Sequence, residues 1–169
     1  MMNQGPLYSV VVPVYRSAKT LPELYERVNQ TFAGMEGNYE LILVEDGGGD
    51  ESWQVMQSLR QRDPRVKIIR LMRNFGQHNA LLAGFSFASG AFIITIDDDL
   101  QNPPEEIPKL IEAMQKENQD VVFGIPREKK HSNWRNWCSQ LFHRAVSSSF
   151  DRLRTPKISN VLIMKKSVM

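Results

Sequence analysis

Short apolar runs rich in β-branched residues recur along the first two-thirds of the chain, each followed by a stretch with helical spacing. That alternation constrains the fold more than any other feature of the sequence. Tyr8–Val14 (YSVVVPV) reads as a buried strand. Leu21, Leu24, Tyr25, Val28 and Phe32 then recur at three- and four-residue intervals, which predicts an amphipathic helix over Leu21–Phe32, with Thr20 as its cap and Glu23 completing a capping box. The unit repeats. Glu40–Val44 (ELILV) is a strand, and Asp50 caps a helix to Arg62. Val66–Leu71 is a strand followed by a helix over Gln77–Ala88, and Ala91–Ile96 (AFIITI) is a strand followed by a helix over Pro104–Lys116. Asp120–Phe123 is a fifth strand. Strands this continuously apolar have no face suited to water, so the fold class is α/β: a mainly parallel sheet covered by helices on both sides.

In such a sheet, ligands bind beyond the carboxyl ends of the strands. The segments to inspect are therefore Pro13–Arg16, Glu45–Gly49, Arg73–Gly76, Asp97–Gln101 and Gly124–Arg127. After Arg127 the alternation stops. Asn133–Phe150 has a helical pattern carrying Trp134, Trp137, Cys138, Leu141, Phe142 and Val146, and Val161–Met164 is a possible further strand. The 169 residues suit one domain, and the weakly patterned end leads us to expect a fragment of a longer chain.

Charge divides the chain at the same place. Residues 1–124 hold 11 Lys and Arg against 17 Asp and Glu, whereas residues 125–169 hold 10 against 2. A basic quarter on an acidic body suits an anionic ligand or an anionic membrane surface; a solvated basic face is the plainer alternative. With 41% hydrophobic and 24% charged residues the composition is that of an ordinary globular protein, which sets disorder aside. The lone Cys138 excludes an internal disulfide and reads as a small buried hydrophobe. No run approaches the roughly 20 apolar residues of a membrane span, and no secretory signal is visible, so a cytoplasmic location is expected.

The strongest chemical signal is Asp97-Asp98-Asp99-Leu100-Gln101-Asn102-Pro103-Pro104-Glu105. Three successive carboxylates after a buried strand repel one another unless something positive lies among them. In an extended segment, residues i and i+2 share a side, so Asp97 and Asp99 would converge on one ion while Asp98 points elsewhere. Hard oxygen ligands suit Mg²⁺ or Mn²⁺, whose coordination substrate phosphates commonly complete. The plainer reading is an acidic loop complementing the helix that Pro103 and Pro104 begin.

Glu45-Asp46-Gly47-Gly48-Gly49-Asp50 is the second signal. Consecutive glycines let backbone approach a flat ligand, and Asp46 could accept from its hydroxyl or N–H groups, while Asp50 fits a helix cap better. Arg73 in Arg73-Asn74-Phe75-Gly76 could pair with phosphate or with the carboxylates of the Asp97 loop. His78 reads as a surface residue in a helix's first turn. Arg127, Arg135 and Arg144 together could make a cationic phosphate site. Several alternatives lack support: there is no G-x-G-x-x-G, Walker loop, G-x-S-x-G or H-E-x-x-H. A nucleotidyltransferase would want a glycine-rich loop where Pro13-Val14-Tyr15-Arg16 stands.

These segments resemble glycosyltransferase family 2, in its branch that makes polyprenyl-phosphate sugars (dolichyl- or undecaprenyl-phosphate transferases). The family's P-x-Y matches Pro13-Val14-Tyr15. Its V-D-D-x-S-x-D-x-S matches Val44–Ser52, with Glu45 for the first Asp and Gly48 for the Ser. Its R-N-x-G-x-x-x-A matches Arg73–Gly76 and Ala80, and its D-x-D-L-Q-x-P-P-E matches Asp97–Glu105 without a gap. The resemblance implies a Rossmann-like A-type fold and an inverting transfer from a nucleotide-diphosphate sugar, UDP-linked by default. It implies a metal, Mg²⁺ or Mn²⁺, held by Asp97, Asp99 and Gln101. The nucleotide would lie across Pro13, Tyr15, Asp46, Arg73 and the Asp97-Asp98-Asp99 loop, and Asp99 would act in catalysis. Residues 1–124 would be the donor and metal part of a single catalytic domain, and residues 125–169 its acceptor side. There Arg127 and Arg135 would hold a polyprenyl phosphate at the inner face of a membrane. Lys157–Leu162 lacks the acid that family members usually carry after the basic helix, which fits an acceptor that is already ionised. A saccharide hydroxyl as acceptor, or a domain that binds nucleotide sugar without turnover, are the rival readings. No nucleic acid partner is implied, and an oligomer is compatible.

Overall fold

The structure, a computed structural model, describes residues 5–124 and 161–168. In chain order the elements are β1 Tyr8–Val14, α1 Leu21–Ala33, β2 Tyr39–Glu45, α2 Ser52–Arg62, β3 Val66–Arg70, α3 Gln77–Ser86 and β4 Phe92–Thr95. A 3₁₀ turn at Pro104–Glu106 then leads into α4 Ile107–Lys116, followed by β5 Val121–Phe123 and β6 Leu162–Lys165. The six strands form one sheet in the order β3-β2-β1-β4-β6-β5. Strands β1 to β4 are mutually parallel, with Val10 paired to Leu41 on one side and Ile94 on the other.

Every residue of β1 and β2 is buried, as expected of strands covered on both faces. Alternate residues serve different layers. Tyr8, Val10, Val12 and Val14 join a core built with α1, α2 and α4. Val11 faces the other way, with Ile42, Val44 and Ile93, and packs on Ala80, Leu81 and Phe85 of α3. Helix α1, thirteen residues long, would be marginal alone, and its buried stripe of Leu21, Leu24, Tyr25, Val28 and Phe32 holds it to the sheet. Helix α3 lies close to β1 because residue 84 is glycine: a Cβ there would run into Val11 Cγ1.

Two local expectations are corrected and one is borne out. The capping box at Thr20 does not form. Thr20 has helical rather than extended dihedrals, Pro22 removes one N–H a cap would satisfy, and the Thr20 hydroxyl instead donates to the Ser17 carbonyl at 3.1 Å. The helix expected over Pro104–Lys116 begins as a 3₁₀ turn and becomes α-helical at Ile107. The possible strand near Val161 exists as β6, inserted between β4 and β5 and antiparallel to both. Apolar pattern reports that a segment is buried but not between which neighbours, so this placement had no signal in sequence. The helical pattern over residues 133–150, with Cys138, lies outside the described residues, as do Arg127, Arg135 and Arg144. No helix among the described residues is long and apolar enough to cross a membrane.

Candidate active site

The loops leaving β1, β2, β3 and β4 meet at the carboxyl edge of the sheet, where carboxylates tie them together. Asp46, buried at the end of β2, accepts from the backbone N–H of Phe75 at 2.7 Å and of Gly76 at 2.8 Å. The β2 loop is thereby clamped to the entry of α3. The approach is so close that a Cβ on Gly47, which has φ +65°, would run into the backbone of Arg73 and Asn74. Beside it Glu45 accepts from Gly48 N–H at 2.6 Å and from Arg70 Nε at 3.2 Å, so the acid replacing the family's Asp shapes the glycine turn. Asp50 accepts from the N–H and hydroxyl of Ser52, the first residue of α2, at 3.1 and 3.0 Å, but the N-cap position is Glu51 rather than the expected Asp50, and the Glu51 side chain makes no cap hydrogen bond. Asp50 also accepts from Ala18 N–H at 3.4 Å, reaching across to the β1 loop.

The Asp97 loop takes a different course from the extended one expected. Strand β4 ends at Thr95, Asp98 and Asp99 lie in a turn, and Leu100 has φ 60°. Strand alternation therefore does not orient these side chains; the turn does. Asp98 does point elsewhere, into the β1 loop, where it accepts from Tyr15 N–H at 2.9 Å and from the Ser17 hydroxyl at 2.5 Å. Asp97 accepts from Gln77 Nε2 at 2.8 Å on one oxygen and from Asn102 Nδ2 at 3.0 Å on the other. Asp99 is exposed, with one oxygen accepting from Gln101 N–H at 3.0 Å.

Electrostatically this loop is unbalanced. Burial first, then the charges of Asp99 and Asp98, push the Asp97 carboxyl up to about 7, against the opposing pull of the Gln77 and Asn102 hydrogen bonds. Asp98 is raised too, chiefly by burial, with Ser17 and Tyr15 N–H opposing. None of the ion pairs among the described residues reaches any of the three. Glu105, in the same run, behaves differently: Arg27 of α1 grips it with two hydrogen bonds of 2.8 Å and holds its carboxyl below the ordinary range.

The remaining expected residues line the same edge. Pro13 is buried at the end of β1, and Tyr15 is 43% exposed with the Arg16 guanidinium 5.2 Å over its ring. Arg73 is exposed and lies 4.9 Å over the Phe75 ring; among the described residues it forms no ion pair with the carboxylates. His78 is half-buried, and burial lowers its pKa. Gln77, Asn102, Ser17 and Ser52 were not singled out from sequence. Asn102, inside the acidic run, and Ser52, closing the Val44–Ser52 motif, had a signal; a glutamine in a helix's first turn looks like any surface residue.

Among the described residues no group of three or more His, Cys, Asp or Glu is arranged to hold a metal by itself. Asp97 and Asp99 nevertheless fit a divalent cation: two neighbouring carboxylates, one desolvated, with no ion-pair partner among the described residues. The family model described as Glycosyl transferase family 2 matches residues 9–166. The chain belongs to glycosyltransferase family 2. It is 44% identical over 144 residues to the undecaprenyl-phosphate 4-deoxy-4-formamido-L-arabinose transferase of Pseudomonas aeruginosa, covering 85% of this chain and 42% of that one. The transferase of the same description from Proteus mirabilis is 42% identical over 145 residues, covering 85% and 44%. This family 2 chain thus spans less than half the length of those relatives.

Solved structures bear out the A-type glycosyltransferase fold. A mannosyltransferase from Pyrobaculum calidifontis in complex with GDP-Man and Mn²⁺ superposes with a TM-score of 0.66 at 14% identity, covering 96% of this chain and 45% of that one. Glucosyl-3-phosphoglycerate synthase from Mycobacterium tuberculosis, in complex with Mn²⁺, UDP and glucosyl-3-phosphoglycerate, gives 0.63 at 17% identity, covering 96% and 58%.

Proposed function

We propose that this family 2 domain transfers a sugar, with inversion, from a nucleoside diphosphate donor to a polyprenyl phosphate at the inner face of a membrane. The observation that carries the reading is the unbalanced negative charge at the carboxyl edge. Half-buried Asp97 and exposed Asp99 stand together with no ion-pair partner among the described residues, in a chain 44% identical to an undecaprenyl-phosphate sugar transferase. Asp97, Asp99 and Gln101 would hold Mg²⁺ or Mn²⁺, which when bound offsets the charge that develops on the departing diphosphate.

The chain's own residues supply position. Asp98 keeps the β1 loop, with Pro13 and Tyr15, against the acidic loop, and Asp46 keeps Arg73 on the same rim through the Phe75 and Gly76 amides. Exposed Arg73 would meet a donor phosphate, to which a planar guanidinium can donate bidentately. The acceptor oxygen attacks the anomeric carbon from the face opposite the diphosphate, so one C–O bond forms as the other breaks and the configuration inverts. A phosphate acceptor is already ionised near neutral pH and needs no general base, in contrast to a hydroxyl. Arg127 and Arg135 are assigned to that phosphate by the sequence motif and charge alone.

The test is calorimetric titration of the chain with UDP and with GDP, in Mn²⁺ and then in EDTA, followed by transfer assays with undecaprenyl phosphate. Metal-dependent binding of one nucleotide and an acid-labile lipid product are expected. A product stable to mild acid would replace the phosphate acceptor by a hydroxyl, and metal-independent binding would remove the cation from the scheme.

A further inference from the structure

Asp97 is held by two side-chain amides from different elements. Asn102 belongs to the same loop, so its bond to Asp97 is local. Gln77 is the first residue of α3, twenty positions earlier, and its Nε2 donates to Asp97 Oδ1 at 2.8 Å. The two residues before Gln77 in sequence, Phe75 and Gly76, are those whose N–H groups the Asp46 carboxylate grips. A continuous path thus runs from the end of β2, through the entry of α3, to the acidic loop after β4. Within it, Gln77 supplies the direct hydrogen bond from α3 to Asp97.

We propose that Gln77 is a positioning residue: its amide fixes the Asp97 carboxylate in the orientation that, with Asp99, receives the divalent cation. This rests on the metal reading given above. The Asn102 bond alone ties the Asp97 carboxylate to its own loop, with its turn at Asp98 and Asp99, and not to the sheet-packed helices. A hydrogen bond from a helix anchored at both its entry and its buried face supplies that tie before the ligand arrives. Helix α3 meets this requirement through Ala80, Leu81 and Phe85, packed on Val11, Ile42 and Val44. Groups that orient a metal's ligands typically alter affinity by roughly 10- to 100-fold when removed. Gln77 has only one atom, Nε2, in this contact, so the lower end of that range is expected.

The decisive substitution is Gln77→Met, which keeps length, volume and helix propensity but has no N–H. The measurement is loss of the free Mn²⁺ electron paramagnetic resonance signal on titration of the 169-residue chain, with UDP and with GDP, beside a thermal melt. Gln77→Met should weaken nucleotide-dependent Mn²⁺ binding roughly 10-fold with a melting temperature within about 4 °C of the parent. Asp99→Asn should abolish that binding. Parental Mn²⁺ affinity in Gln77→Met, with Asp99→Asn still inactive in binding, would overturn the positioning role and leave the metal reading standing. Absence of nucleotide-dependent Mn²⁺ binding in the parent chain would overturn the metal reading and the role of Gln77 with it. A large drop in melting temperature in Gln77→Met at unchanged affinity would make the residue structural and equally overturn the proposal.

Discussion

Two groups of acids on the same sheet are held in opposite ways. At the amino edge Glu40 pairs with Lys67 at 2.6 Å and Asp63 with Arg65 at 2.7 Å. Arg65 holds the Asp63 carboxyl below its ordinary range. At Glu40 burial pushes upward, but Lys67, Ser9 and Ser89 together outweigh it. In the loop after β4, Asp97 and Asp98 are bound, among the described residues, only by uncharged donors, and both are raised, although Glu45 on the same edge pairs with Arg70 at 3.2 Å. The difference is instructive because the residue types are alike, although Glu40 and Asp63 are buried and Asp97 and Asp98 half-buried. An acid matched by a cation within the fold completes the fold; an acid left desolvated and unmatched raises the energy of the ligand-free protein and lowers it again when a positive ligand arrives.

The most severe way to test that contrast is Asp99→Asn. It should cut transfer by roughly 100- to 1000-fold, the scale of losing one group that stabilises developing charge. It should not lower the melting temperature, because a repulsive neighbour of Asp97 is removed. Transfer within tenfold of the parent would break the comparison. Asp63→Asn is the mirror experiment. It should cost about 2–3 kcal/mol in denaturant unfolding, as expected for a charged hydrogen bond whose Arg65 partner is 44% exposed, and leave nucleotide affinity unchanged.

The same residue predicts a pH effect. Its folded pKa lies below the unfolded value of 3.8, so its contribution is present above that pH and lost as pH falls through the folded value. Unfolding free energy measured across that acid range should fall less steeply in Asp63→Asn than in the parent; an unchanged slope would show that other groups govern it. Glu105→Gln gives the smallest effect. Although Glu105 lies in the acidic run, its half-exposed pair with Arg27 belongs to the matched kind. Its loss should cost less than about 1 kcal/mol and leave Mn²⁺ affinity within twofold. A loss of Mn²⁺ binding would place Glu105 with Asp97 instead.

Much of this was legible in the residues themselves. The strands and helices of the first 124 positions are found within a few residues of where apolar spacing puts them, because burial on a strand or helix face repeats locally. The acidic run was conspicuous because adjacent like charges need a reason. What spacing misjudged was the course of that run: the i, i+2 argument assumed extended backbone, and a turn at Asp98 and Asp99 replaced it. Gln77 was invisible for another reason. Its meaning lies in Asp97, and nothing within a helical turn of it points there.

The sequence by itself determined the alternating α/β order, the helix face that buries Leu21 to Phe32, and the concentration of acids after β4. These follow from local periodicity and local charge. Only the tertiary structure decided that β6 enters between β4 and β5, that Asp46 grips the amides of Phe75 and Gly76, and that Arg27 reaches Glu105 across 78 positions. The parallel crossovers bring these partners together, and a contact between two loops depends on where both strands sit in the sheet, which neither loop encodes alone.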